Sequence, residues 1–346
     1  MRADDARDDA PCVLVTTAYL QPGGEVDQLL RDAGFRTLFA RPADRDGAGE
    51  QDGADVRSLR SAVARAAAVG IVAGTDPFTA DVLAASPGLR VVGRCGAGYD
   101  NVDVAAAARL GIAVTHSPGA NRIAVAEHVL GLLVGCARGI PQSVADVRAG
   151  GWSAPSGREL AGATLGVVGL GSIGRTVARL GLAIGMRVVG HDPLPDRAFL
   201  AETGVAALSL DGVLSEADFV TLHLALDAST RHLIDGAALR RMRPGAYLIN
   251  TARGGVVDEQ ALADALAEGR LAGAALDVTE REPLPPDSPL RAFDNVLVTG
   301  HIAGATAEAR SRSSLMAARQ VLDVLAGRTP EHLVGPGAVA SRAGVR

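Results

Sequence analysis

Short apolar runs rich in β-branched residues alternate along this chain with stretches whose apolar positions recur at helical spacing. A first series, from residue 11 to about residue 117, contains CVLVTT, GIVAG, LRVVGR and IAVTH as predicted strands. Strands that alternate with helices in this way pair in parallel, with the helices as crossovers. The pattern therefore predicts an α/β unit with a parallel sheet.

A second series follows a predicted apolar helix at about 123–138 and has the same rhythm. Its strands are TLGVVGL, MRVVGH, FVTLHL, AYLINT, AGAALDV and NVLVTG. The last long helix, after residue 305, has no strand series of its own, so we expect it to pack back on the first unit. The prediction is two doubly wound parallel-sheet α/β domains, 11–117 plus 305–335 and 118–304, with flexible tails at 1–10 and 336–346.

Two segments are expected to lack regular structure. VRAGGWSAPSGREL, between the two series, is rich in Gly and Ser and is typical of an exposed connection. The residues after Arg328 carry Gly and Pro and are expected to fray.

Composition and charge narrow the class of protein. The chain has 346 residues, 48% hydrophobic and 21% charged, which excludes general disorder and is long for one compact domain. Its formal net charge is -5 and it has no long basic block, so no nucleic-acid partner is expected. The charged start and the interruption of the longest apolar stretch by Glu127 and His128 predict no signal peptide, no membrane partner and a cytoplasmic location.

The three cysteines, Cys12, Cys95 and Cys136, are widely spaced and form no C-x-x-C pair. This pattern predicts neither a disulfide framework nor a zinc or other metal site. Buried, unreactive thiols are expected instead.

A glycine-rich turn is the first candidate for chemistry. The turn GLGSIG supplies Gly169, Gly171, Ser172, Ile173 and Gly174 between a predicted strand and a predicted helix. The first glycine of such a motif permits a tight turn, the second lets the backbone approach a pyrophosphate, and the third lets helix and strand pack closely. The helix N-terminus then faces the phosphates, which indicates a dinucleotide cofactor.

Asp192 lies eighteen residues beyond Gly174, at the end of the next predicted strand. A carboxylate there can accept both ribose hydroxyl groups and would repel a 2'-phosphate, so NAD is predicted over NADP. The alternative is that Asp192 only begins the turn with Pro193.

Four motifs in order carry a resemblance to a known family: ELAGATLGVVGLGSIG, NTARGGVVDE, ALDVTEREPL and VTGHIAG. Together they resemble the D-isomer-specific 2-hydroxyacid dehydrogenase family over roughly 91–304. The resemblance implies hydride transfer between NAD(H) and a 2-hydroxy or 2-keto acid. It also implies a Rossmann coenzyme domain, a flavodoxin-like substrate domain, a cleft between them and a homodimer.

By this resemblance Arg253, Glu282 and His301 are the catalytic residues. The residues alone agree for Arg253, whose planar guanidinium follows a strand at its carboxyl end and suits a carboxylate, although a solvated charge is an alternative. They leave the proton donor open among His301, His223 and His116, and they favour a surface charge for Glu282. A carboxylate paired with His301 would favour the imidazolium form, which can protonate an alkoxide.

The resemblance also assigns binding residues. Thr251 and Asp277 are expected at the cofactor, Asp277 at the nicotinamide carboxamide. Arg94, Gly96, Ala97 and Gly98 match the loop whose backbone N–H groups hold the substrate carboxylate. The alternatives are an ordinary strand-to-helix turn and local pairing of Arg94 with Asp100 or Asp103.

Arg94 and the segment ARGIPQ at 137–142 resemble the phosphoglycerate dehydrogenase branch, without a C-terminal regulatory domain. They suggest a small substrate with a second anionic group, such as 3-phosphoglycerate. The chain departs from the family at His116, where Asn is frequent, and at Ala225, where Pro is frequent. A formate- or phosphite-type dehydrogenase of the same fold and an NAD(H)-sensing corepressor or scaffold remain as alternatives, which activity with NADH would discriminate.

Overall fold

The protein is represented by a computed structural model that describes residues 10–40, 53–154 and 156–335. The chain divides into two compact units, one from residues up to Asn121 together with those from Ala307 onward, and one from Arg122 to Thr306. Of the predicted flexible tails, residues 1–9 and 336–346 lie outside the described residues.

The two units contain strands and helices in alternation. The strands are β1 (Cys12–Val15), β2 (Arg36–Phe39), β3 (Ala68–Ala73), β4 (Val91–Arg94), β5 (Ala113–Thr115), β6 (Thr164–Val168), β7 (Arg187–His191), β8 (Ala206–Ala207), β9 (Phe219–Leu222), β10 (Tyr247–Asn250), β11 (Gly273–Leu276), β12 (Val296–Val298) and β13 (Leu333–Val334). The helices are α1 (Glu25–Asp32), α2 (Gly53–Ala66), α3 (Ala80–Leu83), α4 (Val104–Arg109), α5 (Arg122–Arg138), α6 (Ile140–Arg148), α7 (Ser172–Ala183), α8 (Arg197–Thr203), α9 (Leu210–Glu216), α10 (Gly236–Arg241), α11 (Glu259–Ala267) and α12 (Ala307–Leu325).

The first unit is built on a six-stranded sheet in the order β2-β1-β3-β4-β5-β13. Its first five strands are parallel and follow the 2-1-3-4-5 order of flavodoxin-like folds. Helix α12 packs on β3 and β4 and buries Val321 completely. The expectation that the chain frays after Arg328 is wrong through residue 335, because Leu333 and Val334 pair antiparallel with β5 and so satisfy backbone groups at the sheet edge.

The second unit is built on a seven-stranded parallel sheet in the order β8-β7-β6-β9-β10-β11-β12. The strand order reverses between β6 and β9, as in dinucleotide-binding Rossmann folds. Ligands of such sheets bind outside the carboxyl ends of the strands near this reversal. The prediction of two doubly wound α/β domains is confirmed.

Burial along the central strands explains their composition. All five residues of β6 are buried, as are the four residues each of β9 and β11. A parallel sheet covered by helices on both faces requires such continuous apolar runs, whereas a half-exposed sheet would show alternation. The cores on the two sides of this sheet contain mainly Val, Leu and Ala from the flanking helices.

Helix α6 was not predicted. It begins directly after α5, with Gly139 between them in the left-handed conformation at φ 58°. The cause is local, since Gly tolerates the reversed backbone and Pro141 suits the first turn of a new helix. None of the residues of α6 is buried within the unit.

Among the described residues, no single helix has both the length and the apolar character needed to cross a membrane. The adjacent pair α5 and α6, bent by 66° at their junction, meets the length and composition criteria only when the two are taken together.

Candidate active site

A histidine and a carboxylate meet beyond the carboxyl ends of β11 and β12. The Nδ1 atom of His301 lies 2.8 Å from Oε2 of Glu282. The His301 and Glu282 side chains are 42% and 41% exposed, so the ring is open to a ligand while one nitrogen is paired. His301 has a left-handed backbone at φ 55°, a conformation that non-glycine residues keep only where the surroundings enforce it.

The electrostatic surroundings keep Glu282 ionised. Burial alone would raise the pKa of its carboxyl group. The hydrogen bond and charge of His301 act in the opposite direction, as do the backbone N–H of Thr279, 3.3 Å from Oε1, and the charge of Arg253. The net effect holds the Glu282 pKa below its ordinary value of 4.5. This contact therefore stabilises the folded state fully above that ordinary value, and its contribution is lost as the pH falls through the lower folded pKa.

The buried carboxylate of Asp277 holds the loop that carries His301. Its Oδ1 accepts from the hydroxyl of Thr299 at 2.5 Å and from the N–H of Ile302 at 2.9 Å, and its Oδ2 accepts from the N–H of Ala303 at 2.8 Å. The main chain adds a bond from the N–H of His301 to the Asp277 carbonyl at 2.8 Å. These bonds enforce the unusual backbone of His301.

Arg253 lies on a sharp turn at the carboxyl end of β10. The buried side chain of Asn250 shapes this turn, because Nδ2 donates to the carbonyl of Arg253 and Oδ1 accepts from the N–H of Ala252. A Cβ atom at Gly254 would lie 1.9 Å from the carbonyl carbon of Thr279. Only Gly permits this approach of the Arg253 turn to the loop of Glu282.

The contacts of the rival histidines separate them from His301. Burial lowers the pKa of His223 to about 3, so this ring stays neutral near pH 7 and cannot serve as an acid. The ring of His116 bonds a main-chain carbonyl, that of Ala97, at 2.7 Å. His301, by contrast, is paired with the Glu282 carboxylate at 2.8 Å.

The glycine-rich turn joins β6 to α7. Gly169 has φ 94°, and a Cβ atom at Gly174 would lie 1.8 Å from the Gly169 carbonyl oxygen, so the first and third glycines are required. A Cβ atom at Gly171 would meet nothing within 4 Å, so this side of the turn is open. The N–H groups of Ser172 and Ile173, in the first turn of α7, have no hydrogen-bond partner among the described residues. They are therefore available to donate to an anion.

Two further side chains fit a dinucleotide at this edge of the sheet. Asp192 accepts from the N–H groups of Leu170 at 2.8 Å and Leu194 at 2.9 Å, so it does begin a turn, while both oxygens retain acceptor capacity. The buried hydroxyl oxygen of Thr251 has no hydrogen-bond partner among the described residues. Such a group is costly unless a ligand satisfies it. The residues present therefore fit NAD.

The first unit carries the other predicted loop. Arg94 is only 8% exposed. Its Nε donates to Oδ1 of Asn101 at 3.0 Å and its Nη1 donates to the carbonyl of Cys95 at 2.9 Å. Asn101 in turn donates to the carbonyl groups of Gly74 and Asp76. Arg94 thus braces the start of the loop that contains Gly96, Ala97 and Gly98.

Sequence reasoning missed several supporting residues. His128 lies within 3.5 Å of the Asp277 carboxylate and 3.2 Å from the Thr299 hydroxyl, and Asn250 shapes the Arg253 turn. The sequence did carry signals for two of them. His128 is a polar residue within an apolar helix, and Asn250 stands at the end of a buried strand. Thr299 carried none beyond its position two residues before His301.

Comparisons with known proteins agree with this geometry. Residues 130–303 match the family model described as D-isomer specific 2-hydroxyacid dehydrogenase, NAD binding domain. The chain is 44% identical over 269 residues to a glyoxylate reductase of Thermofilum pendens, covering 75% of this chain and 79% of that relative. It is 45% identical over 278 residues to a D-3-phosphoglycerate dehydrogenase of Mycobacterium tuberculosis, covering 80% of this chain but only 52% of the relative.

Solved structures agree as well. The TT0316 protein of Thermus thermophilus has a TM-score of 0.81 at 38% identity and covers 94% of this chain and 100% of its own. The D-lactate dehydrogenase of Aquifex aeolicus, solved with NAD and lactic acid, has a TM-score of 0.79 at 29% identity and covers 94% and 99%.

Replacing Asp277 with Asn tests whether its carboxylate holds the His301 loop. An amide nitrogen cannot accept, so one backbone N–H of the loop loses its partner, at a cost of about 1–3 kcal/mol. We expect a lower melting temperature and a fall in kcat of at least tenfold. Asp235→Asn is the matched control, because Asp235 accepts from a single N–H as a helix cap, which Asn caps equally well. Equal effects at both positions would contradict the assignment.

Replacing Glu282 with Gln tests the ion pair with His301. The substitution keeps the shape but removes the carboxylate beside His301, a carboxylate whose pKa the folded state holds below 4.5. We therefore expect kcat for keto-acid reduction to fall, and the melting temperature to fall at pH 7 by an amount that shrinks as the pH drops through the folded pKa of Glu282. Glu280→Gln removes the same charge two residues away, where the carboxylate lies 3.0 Å from His232 instead. A kcat and a melting temperature that Glu282→Gln leaves unchanged would show that Glu282 does not act on the proton donor.

Proposed function

The chain belongs to the D-isomer specific 2-hydroxyacid dehydrogenase family and transfers a hydride between NAD(H) and a 2-hydroxy or 2-keto acid, and from this we propose that it reduces small 2-keto acids, with glyoxylate as the best candidate. The observation that carries the proposal is the 2.8 Å contact between His301 and Glu282 on an open ring. Reduction of a carbonyl needs a proton donor of this kind, whereas oxidation of formate to CO2 needs only the transfer of a hydride.

His301 is the proposed acid. Its Nδ1 is paired with Glu282, which leaves Nε2 to donate a proton. NADH, when bound, supplies the hydride to the carbonyl carbon. The electron pair of the broken C=O π bond then takes the proton from Nε2, so a hydroxyl forms and neutral imidazole remains. The contact of Nδ1 with Glu282 fixes the orientation of the ring.

A carboxylate-binding role is proposed for Arg253 in the second unit and, by its own geometry, for the loop Gly96–Gly98 in the first unit. The guanidinium of Arg253 can hold a carboxylate through two parallel bonds and polarise the neighbouring carbonyl. The N–H groups of Ala97 and Gly98 have no partner among the described residues and also suit a carboxylate. Charge and oriented amide dipoles therefore select an acid.

The cofactor residues keep the roles that the sequence indicated. We propose that Gly171, Ser172 and Ile173 receive the pyrophosphate and that Asp192 accepts the ribose hydroxyl groups, which favours NAD over NADP. Thr251 and Asp277 are proposed at the nicotinamide. The unpaired hydroxyl oxygen of Thr251 supports this role.

The size of the substrate follows from Arg94. Its donors brace the loop through Cys95 and Asn101, and its side chain is buried. This placement favours a small acid with one carboxylate over an acid with a second anionic group. The second candidate, 3-phosphoglycerate, is supported by the 45% identity to a D-3-phosphoglycerate dehydrogenase.

We also propose a homodimer through α6. Its residues Ile140, Val144 and Val147 recur at helical spacing and are all exposed, and Trp152, just beyond the helix, is 89% exposed. An apolar stripe with no partner in its own unit suits a second copy of the chain.

The proposed compartment is the cytoplasm. Cys12 and Cys136 are buried, Cys95 is half-buried, and all three are free thiols. Burial raises the pKa of Cys136 to about 12, so this thiol is unreactive. Free thiols suit a reducing environment.

The substrate proposal is tested by kcat/KM with NADH for glyoxylate, pyruvate and 3-phosphohydroxypyruvate, the keto acid formed from 3-phosphoglycerate. We expect glyoxylate to be reduced best. We also expect Arg94→Ala to raise KM for all three by a similar factor, because the loss of the brace affects every carboxylate. The exposed Arg109→Ala is the control. A selective loss with the phosphorylated acid would instead assign Arg94 to a second anionic group.

The dimer proposal is tested by mass measurement in solution, by light scattering or sedimentation. The wild-type chain should have twice the mass of one protomer. Val144→Asp should shift the equilibrium to the monomer, because a carboxylate would be desolvated in the contact. Leu110→Asp introduces the same charge at another exposed apolar residue and should leave the mass unchanged. A monomeric wild type, or a dimer that tolerates Val144→Asp, contradicts the proposal.

A further inference from the structure

The loop at Gly96–Gly98 has two consecutive peptide groups that are held through their carbonyl oxygens. The Gly96 oxygen accepts from the N–H of Ser117 at 2.8 Å. The Ala97 oxygen contacts Nδ1 of His116 at 2.7 Å. Both anchors come from neighbouring residues of one segment, directly after β5. The two peptides are therefore tied to the same short stretch of chain.

Peptide planarity converts these anchors into directions for the N–H groups. In a trans peptide the C=O and the N–H of the next residue lie in one plane and point in opposite directions within it. Fixing the Gly96 oxygen thus directs the N–H of Ala97, and fixing the Ala97 oxygen directs the N–H of Gly98, in both cases away from the anchor. Neither of these two N–H groups of the loop, those of Ala97 and Gly98, has a partner among the described residues.

We infer that His116 is a positioning residue for the substrate carboxylate, acting through the Ala97 carbonyl to aim the N–H of Gly98. The inference rests on the proposed function, which assigns the loop to the carboxylate. Because a carbonyl oxygen can only accept, Nδ1 of His116 carries the proton in this contact. In this role the imidazole acts on the peptide group that it contacts.

The surroundings fix His116 itself. Its backbone N–H donates to the carbonyl of His332 at 3.2 Å, and its carbonyl accepts from Nε2 of the buried Gln320 at 2.8 Å. Its ring packs edge-on against those of Tyr99 and His332, with centroids 5.3 Å and 6.2 Å away. A ring held at both its backbone and its edges can direct the peptide that it contacts.

The role predicts a particular kinetic signature. The substrate carboxylate does not change during hydride transfer, so a donor aimed at it binds the ground state and the transition state alike. Loss of such uniform binding raises KM and leaves kcat unchanged. A general disturbance of the fold would lower kcat and the melting temperature as well.

Three variants separate the hydrogen bond from the ring. His116→Phe keeps an aromatic ring but has no donor. His116→Asn keeps a donor on the δ atom, where the imidazole has Nδ1, and lacks the ring. His116→Leu has the branched shape of Asn but no donor. It takes the place of His116→Phe in the comparison if His116→Phe does not fold. The measurements are kcat and KM for glyoxylate at saturating NADH, the Kd of oxalate on the NADH-loaded full-length enzyme by calorimetry, the Kd of NADH and the melting temperature.

We expect His116→Phe and His116→Leu to raise both the glyoxylate KM and the oxalate Kd about tenfold, the effect of losing one well-aimed hydrogen bond to a carboxylate. The kcat should stay within about twofold and the Kd of NADH should be unchanged. His116→Asn should remain within about threefold of the wild type in every measurement. Unchanged oxalate binding in His116→Phe and His116→Leu, or a loss of oxalate binding in His116→Asn as large as in His116→Phe, overturns the inference.

The oxalate measurement keeps this inference separate from the proposed function. A wild-type enzyme that binds oxalate but reduces no 2-keto acid contradicts the proposed function, while the variant comparison still decides the role of His116. If the wild-type enzyme reduces glyoxylate and the KM is unchanged in His116→Phe and His116→Leu, the proposed function is supported and His116 has no role in it. A wild-type enzyme that does not bind oxalate overturns the inference.

Discussion

The carboxylate of Asp277, only 1% exposed, is the group on which the catalytic loop depends. A buried charge is tolerated only when hydrogen bonds compensate for the lost water, and here the compensation comes from the loop itself. The same bonds that make burial of the charge acceptable hold His301 in its left-handed conformation. Stability of the fold and placement of the proton donor are therefore one requirement.

The second unit uses two kinds of group to orient its chemistry. The pair formed by Glu282 and His301 is exposed to solvent, so it contributes little to the stability of the fold. The same exposure leaves the histidine accessible for proton transfer. Asp277, which holds the His301 loop, and Asn250, which shapes the Arg253 turn, are almost fully buried. Rigid, buried polar groups thus support a reactive and accessible one.

The sequence predicted the architecture because its signals are local. Continuous apolar strands, a glycine-rich turn after β6 and Asp192 at the end of the next strand are each readable within a few residues. The proton donor was not readable in this way, since His116, His223 and His301 all follow strands. Its choice from the residues alone depends on contacts between distant parts of the chain, such as that of His301 with Glu282 and the burial that keeps His223 neutral.

Other features depended on tertiary contacts that no local pattern encodes. The antiparallel pairing of Leu333 and Val334 requires β5 to offer an open edge, and the sequence around them carries only turn residues. Arg94 differs from these features, because its local sequence carried a signal but that signal indicated another role. An arginine beside a glycine-rich loop suggested a second anionic group on the substrate, and only its burial and its bonds to Cys95 and Asn101 indicate a bracing role.

The close approach of Gly254 to Thr279 has a consequence for how such an enzyme diversifies. Two segments whose backbones touch without intervening side chains cannot accept insertions or larger residues independently of one another. The surface that carries Arg253 and Glu282 is therefore a poor place for evolution or for a protein engineer to alter substrate preference. Changes in preference are more readily tolerated in segments that side chains separate, where one residue can be exchanged without displacing a neighbouring main chain.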